Sequence, residues 1–375
     1  MDWRVPLADL DYGVEEENAV LGVLRSKWLT MGAVTQQFEQ EFALATGAKY
    51  VFSVSNATEA LHLACMALGI GSGDEVITPS LSFVATSNAV LYTGATVRFA
   101  DVCGPHDLTI DPADIERKIT QRTKAIIVMH YGGYPCRMNE ILAVAQKHGL
   151  PVIEDTAHSP GASLEGKALG TWGAMGCFSF FSNKNLSTGE GGMIVTDRED
   201  LADKIRLMRS HGMTTLTYDR HKGHAYSYDV VALGYNYRID EIRSALGLEQ
   251  LKKLPRNNAL RGKWVSLYRK ELENVAVAVP FGQNAGQSAY HLMPVLLPQG
   301  TNRKAVIDHM RERQIQTSIH YPPTHTFQYY LEKFGQVSLP ITEDLAAREL
   351  TLPLYPTMGE DAVYAVVEAL NEALA

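Results

Sequence analysis

The stretch Cys177-Phe178-Ser179-Phe180-Phe181-Ser182-Asn183-Lys184-Asn185-Leu186-Ser187-Thr188-Gly189-Glu190-Gly191-Gly192 decides the fold. It opens as a short, mainly apolar run and continues as a polar, glycine-rich loop holding one lysine. A short apolar run bounded by turn residues reads as a strand buried on both faces, the kind found inside parallel sheets. Similar runs occur at residues 75–78, 125–130, 151–154 and 192–196. Helical patterns lie between several of them. Residues 57–68 are rich in Ala and Leu at helical spacing, and residues 138–148 form another such stretch, with Gly149 placed to end it. Strands alternating with helices predict an α/β fold whose mostly parallel sheet is flanked by helices on both faces.

In such sheets ligands bind at the carboxyl ends of the strands. Polar residues do cluster there: Thr78-Pro79-Ser80, His130-Tyr131-Gly132-Gly133 and Glu154-Asp155-Thr156-Ala157-His158 each follow an expected strand. Beyond residue 254 the texture changes. Pro255-Arg256-Asn257-Asn258 is expected to break a helix that begins near residue 239, with a new helix over 260–273. An extended pair is expected near 290–297 and 314–320. A last helix over 361–374 places Ala362, Ala365, Val366 and Leu370 on one face. The expected division is a large domain over 1–254 and a smaller α+β domain over 255–375.

Composition excludes several classes. With 375 residues, 46% hydrophobic and 20% charged, the chain is not a disordered one. Lys+Arg 34 against Asp+Glu 42 leaves a net charge of −8, which speaks against a nucleic-acid binder. No apolar run approaches the roughly 18 residues of a membrane helix, and the start, Met1-Asp2-Trp3-Arg4-Val5-Pro6, is unlike a signal peptide. Cys65, Cys103, Cys136 and Cys177 are far apart, so neither a metal nor an iron–sulfur site is expected, and the cytoplasm is the expected compartment. Gly69-Ile70-Gly71-Ser72-Gly73 follows a helix and precedes a strand, so it reads as a turn and not as a dinucleotide fingerprint.

Three segments carry chemistry. Lys184 follows a buried strand, and desolvating an ammonium lowers its pKa and makes the amine nucleophilic; the structural alternative is a lysine that reaches solvent from its loop. Glu154 and Asp155 point to opposite sides of their strand, so one can face a ligand while the other pairs. An ionised Asp would keep a pyridinium nitrogen protonated, an attraction on the order of 4 kcal/mol at about 4 Å and an effective dielectric near 20; the alternative is an N-cap for the next helix. Ser53-Val54-Ser55-Asn56-Ala57-Thr58-Glu59 leads into a helix whose free N–H groups suit a phosphate, the alternative being simple capping by Asn56 or Thr58. Together these are the parts that a pyridoxal phosphate enzyme needs.

The chain resembles the DegT/DnrJ/EryC1/StrS family of sugar aminotransferases, within the fold type I pyridoxal phosphate enzymes. The resemblance rests on Glu154-Asp155-Thr156-Ala157-His158, on Phe178-Ser179-Phe180 with Lys184-Asn185 and Gly189-Glu190-Gly191-Gly192, and on Gly234-Tyr235-Asn236-Tyr237-Arg238. Asn56-Ala57-Thr58-Glu59-Ala60-Leu61 and Pro79-Ser80-Leu81-Ser82-Phe83 support it. It implies that Lys184 holds the cofactor, pyridoxal 5'-phosphate, and moves the proton, and that Asp155 partners the ring nitrogen. His158 stands where many members have Gln, near the cofactor's phenolic oxygen. Phe83 matches the aromatic that stacks on the ring, and Thr58, the Glu59 backbone and Ser179 match phosphate contacts. Asn236 matches a residue reaching the phosphate from a second subunit, which implies a homodimer. His320 and Tyr321 lie where the family lines its sugar pocket. Lys184 speaks against the dehydratase branch, which carries His there.

The expected activity is transfer of an amino group, with L-glutamate as donor, to a nucleotide-linked 4-keto-6-deoxyhexose or 3-keto sugar. A keto-cyclitol acceptor is the close alternative, and a cofactor-binding regulatory or sensory protein is the alternative of another class. The polar segment 214–228 is expected to be a loop, in which Arg220 or Lys222 could meet a pyrophosphate if it folds over the substrate.

Overall fold

In the computed structural model, which describes residues 3–214 and 227–375, all five expected strands form and two more join them. The seven are β1 (Tyr50–Val54), β2 (Glu75–Pro79), β3 (Thr96–Ala100), β4 (Thr123–Met129), β5 (Val152–Asp155), β6 (Met175–Ser179) and β7 (Gly192–Thr196). Their order across the sheet is β1-β7-β6-β5-β4-β2-β3. β7 is antiparallel to both neighbours, and the remaining pairs from β6 to β3 are parallel.

The strand runs are continuous in apolar character because helices cover both faces. Ile127 and Ile153 pack on one side with Leu61, Ala64 and Ala67 of the helix Ala57–Ala67. Their chain neighbours Ile126 and Val152 pack on the other side with Met138, Ile141 and Ala145 of the helix Met138–Lys147. The alternation places Asp155 on the Ile153 side and Glu154 on the Val152 side.

The expected break at Pro255 does not occur. One helix of 31 residues, Glu241–Glu271, runs through the proline. Pro255 lacks the N–H that would bond the carbonyl four residues back, a cost of about 3 kcal/mol in a helix interior. Packing on both sides of it offsets that cost. Leu248 and Leu254 pack with Phe38, Phe42 and Phe180 near the main sheet. Trp264, Val265 and Tyr268 pack with Met293, Val295 and Leu350 of the C-terminal part. Position 254/255 therefore falls inside a continuous helix.

The C-terminal part carries a second sheet, β8 (Met293–Leu296) paired antiparallel with β9 (Glu349–Leu352). The expected partner segment 314–320 instead makes single bridges, Ile315 to Val5 and Ser318 to Thr351. The last helix, Glu360–Leu374, buries Val363, Ala365, Val366, Ala369 and Leu370. Among the described residues no helix is long and apolar enough to cross a membrane.

Candidate active site

The carboxyl ends of β4, β5 and β6 converge on one polar cluster, as the parallel register requires: Asp155 lies level with Met129 on one side and Cys177 on the other. Glu154 and Asp155 divide their work. Glu154 accepts the backbone N–H groups of Gly170 (2.7 Å) and Gly173 (2.6 Å) and pairs with His130 at 3.0 Å, so it pins a loop. Asp155 accepts the Thr86 hydroxyl at 2.7 Å and the Ala157 N–H at 3.1 Å. Burial pushes the Asp155 carboxyl up, and the Thr86 hydroxyl, the Ala157 N–H and the nearby Lys184 pull it back.

Lys184 closes a turn after β6, its N–H bonded to Phe181 O at 2.9 Å. Burial lowers its ammonium to about 8, and Asp155 opposes the fall. An appreciable fraction is then the neutral, nucleophilic amine near neutrality. Its Nζ meets Nε2 of His291 at 3.4 Å.

His158 is placed by Gly132, whose N–H donates to Nδ1 at 3.2 Å. The neutral ring then carries its proton on Nε2 and donates to the Tyr321 hydroxyl at 2.8 Å. Burial holds His158 well below the ordinary imidazole range, with Lys184 and His320 adding to the effect. Tyr321 lies 6.0 Å, ring centroid to ring centroid, from Phe83, a residue that is 58% exposed. His320 joins the cluster through Thr351 (Nδ1 to Oγ1, 2.8 Å) and through its N–H, which donates to Glu349 at 2.8 Å. Gly133 lets these parts close up: a Cβ there would stand 2.8 Å from His158 O and 3.1 Å from His291 N.

A second group sits at the start of the helix Ala57–Ala67. Asn56 caps it, its side chain accepting the Glu59 N–H at 2.9 Å. The capping alternative thus holds for Asn56, and the Glu59 N–H is already engaged; Ala57 and Thr58 supply the first-turn N–H groups that helix geometry leaves free. Gly192, level with Ser179 across the β6–β7 pair, has backbone atoms of Asn56 and Ala57 within 3 Å of where a Cβ would be. The strand pair carrying Ser179 is thereby packed against the N-terminus of the helix whose first turn holds Thr58. Asn236 is exposed, and the adjoining Tyr237 O accepts the Ser55 N–H at 3.0 Å. Arg220 and Lys222 lie outside the described residues.

Sequence reasoning missed His291, Thr86 and Glu349 as members of this site, and quoted Gly132 and Asn185 within strand-end and family motifs without giving either a role. The one local signal was His291 itself, a polar residue immediately before the apolar run of β8. The assembled groups form a nucleophilic amine beside a buried carboxyl, a neutral histidine–tyrosine pair, an exposed aromatic face and a backbone anion cradle. That set can bind a phosphorylated aromatic aldehyde and move protons beside it.

Residues 11–371 match the family model described as the DegT/DnrJ/EryC1/StrS aminotransferase family. The spore coat polysaccharide biosynthesis protein SpsC of Bacillus subtilis (strain 168) is 41% identical over 368 residues, covering 96% of this chain and 94% of SpsC. Among solved structures, Helicobacter pylori PseC, an aminotransferase involved in the biosynthesis of pseudoaminic acid, superposes with a TM-score of 0.92 at 30% identity, over 100% of this chain and 99% of PseC. DesI, solved in the presence of its TDP-sugar product, gives a TM-score of 0.89 at 29% identity, over 100% of this chain and 94% of DesI.

Proposed function

Because the chain belongs to the DegT/DnrJ/EryC1/StrS aminotransferase family, we propose that it uses pyridoxal 5'-phosphate to transfer an amino group from L-glutamate to a nucleotide-linked keto-sugar, a 4-keto-6-deoxyhexose or a 3-keto sugar. The observation that carries this reading is the buried Lys184 amine, lowered to about 8, coupled electrostatically to the buried carboxyl of Asp155. A sugar acceptor is supported by the similarity to PseC and DesI, whose described roles and ligands involve sugars.

The residues present fit the cofactor. The cradle of Thr58, Ser179 and the helix N-terminus would take the phosphate, Asp155 the ring nitrogen, the exposed Phe83 ring one face, and Lys184 the aldehyde carbon. When bound, the cofactor supplies an electron sink for the bond broken at the substrate's α-carbon. Asp155 keeps the ring nitrogen's proton in place by its charge. Lys184 takes a proton from the substrate carbon and returns it on the same face, which fixes the stereochemistry. His158 and Tyr321, both neutral, orient donors without adding charge. His320 and Tyr321 line the acceptor pocket, and Lys222 contributes to binding a pyrophosphate. Asn236 completes the phosphate site of a second subunit, so the working unit is a homodimer, acting in the cytoplasm.

The test is an absorbance spectrum of the protein with pyridoxal phosphate, before and after L-glutamate. A visible band that disappears in favour of a near-ultraviolet one is expected, and Lys184→Ala should abolish both the visible band and turnover. A persistent band with glutamate and with other amino donors would indicate a sensor; no band at all would overturn the proposal.

A further inference from the structure

We infer that His291 is a positioning residue for the Lys184 amine, held by Asn185 in the single tautomer that offers Lys184 a hydrogen-bond acceptor. The inference rests on the reading of Lys184 as the reactive lysine.

Two carbonyl oxygens, Pro160 O and Ala289 O, can only accept, and they set the orientation of the amides around His291. Pro160 O receives Nδ2 of Asn258 at 2.9 Å, so Oδ1 of Asn258 faces the other way, toward Asn185. Nδ2 of Asn185 donates to that oxygen at 2.8 Å and to Ala289 O at 2.7 Å. Both amide orientations are thus fixed by their surroundings. The remaining atom of Asn185, Oδ1, lies 3.0 Å from Nδ1 of His291. An oxygen that only accepts requires a proton on Nδ1. In a neutral ring Nε2 is then an unprotonated acceptor, and Nε2 is the atom facing Lys184 Nζ at 3.4 Å.

Burial keeps the ring neutral. His291 is 5% exposed, and burial holds it well below the ordinary imidazole range. Lys184, His158, Arg261 and His320 face it and push the same way. The backbone around it is fixed as well. His291 N–H donates to Gly132 O at 2.9 Å and Ala289 N–H to Gly133 O at 3.0 Å. The intervening Tyr290 has φ +51°, a conformation that a bulky residue adopts only where its surroundings impose it.

An acceptor pinned on one side of the amine has two consequences. It orients the nitrogen lone pair away from His291. It also favours the ammonium over the amine, because a charged donor bonds more strongly than a neutral one. Lys184 therefore titrates among Asp155 and His291, which hold its proton, and burial, which expels it.

The experiment uses the full-length cofactor-free protein and trace labelling with 1-fluoro-2,4-dinitrobenzene across pH, with Lys184 followed by peptide mass spectrometry. Wild type should label with a midpoint near pH 8. His291→Phe, which fills the space and accepts nothing, should lower the midpoint by about one unit, a roughly five-fold larger amine fraction at pH 7. His291→Gln, whose side-chain oxygen can accept, should restore most of it. If His291→Phe does not fold, His291→Leu makes the same comparison. Histidine ring-nitrogen NMR should find His291 protonated at Nδ1. A midpoint unchanged or raised in the apolar variants, or a proton on Nε2, overturns the assignment. Failure of the underlying reading looks different: wild-type Lys184 would label like a surface lysine, and added pyridoxal phosphate would produce no band.

Discussion

Glu349 accepts the backbone N–H of His320 at 2.8 Å, which ties a wholly buried carboxyl to the segment carrying Tyr321. Its other oxygen takes the Thr351 hydroxyl, the same hydroxyl that meets His320 Nδ1. Arg303 donates to the Glu349 backbone carbonyl at 2.9 Å. Burial raises the carboxyl to about 8 despite Thr351, the His320 N–H and Arg303, while Tyr131 and Tyr321 stand near enough to feel its charge.

A buried acid with a raised pKa binds its proton more tightly folded than unfolded. Its stabilising contribution is complete below the unfolded value near 4.5 and is lost as pH rises through about 8. Glu349→Gln keeps an acceptor for His320 and a donor for Thr351 and cannot ionise. We expect the variant to match wild type near pH 5 and to exceed it at pH 9 by on the order of 3–5 kcal/mol in urea unfolding. Parallel stability curves across that window would mean that Glu349 ionises in the fold without penalty.

Gly192→Ala should damage the phosphate cradle without touching Lys184. The added Cβ would stand 2.7 Å from the Asn56 carbonyl carbon and 2.9 Å from Ala57 N, both backbone atoms that cannot swing aside. The helix terminus must move off β7, at a cost of about 1–3 kcal/mol. Equilibrium dialysis should show at least a several-fold loss of pyridoxal phosphate affinity. Gly359→Ala, where a Cβ meets nothing within 4 Å, is the control and should bind normally. Unchanged affinity in Gly192→Ala would place the phosphate elsewhere.

What could be read from the chain follows from where each signal resides. Strands β2, β4, β5, β6 and β7 were legible because burial on both faces writes itself into consecutive apolar residues. β3 was missed because Arg98 interrupts an edge strand whose first residue is exposed, and β1 because its serine blends into the polar segment that follows. Lys184, Asp155 and His158 were legible because strand-end chemistry is local in sequence. His291 acquires its meaning from a residue 107 positions away, and Glu349 from burial by β8 and the 318–321 segment; beyond the polar residue that His291 places before an apolar run, neither role is written into its neighbours in sequence. Pro255 misled for the converse reason: a strong local preference was overridden by packing along the whole helix.

Asp155 and Lys184 are coupled, and Asp155→Asn separates the consequences. The carboxyl raises the Lys184 ammonium against the burial that lowers it to about 8. Asparagine still accepts one hydrogen bond, from Thr86 or Ala157, but carries no charge. The Lys184 labelling midpoint in the cofactor-free variant should therefore fall below 8, so that more amine is free at neutral pH. Turnover should nonetheless drop on the order of 10²–10³-fold, the scale of losing one preorganised electrostatic partner. A more reactive lysine with slower catalysis is a combination that general unfolding does not produce, since unfolding would return the midpoint toward the ordinary lysine value. Thr86→Ala keeps the charge while removing a hydrogen bond of 2.7 Å, so its Lys184 midpoint should stay near 8. If Asp155→Asn leaves that midpoint unmoved, the two groups do not share a field, and the role assigned to Asp155 falls with it.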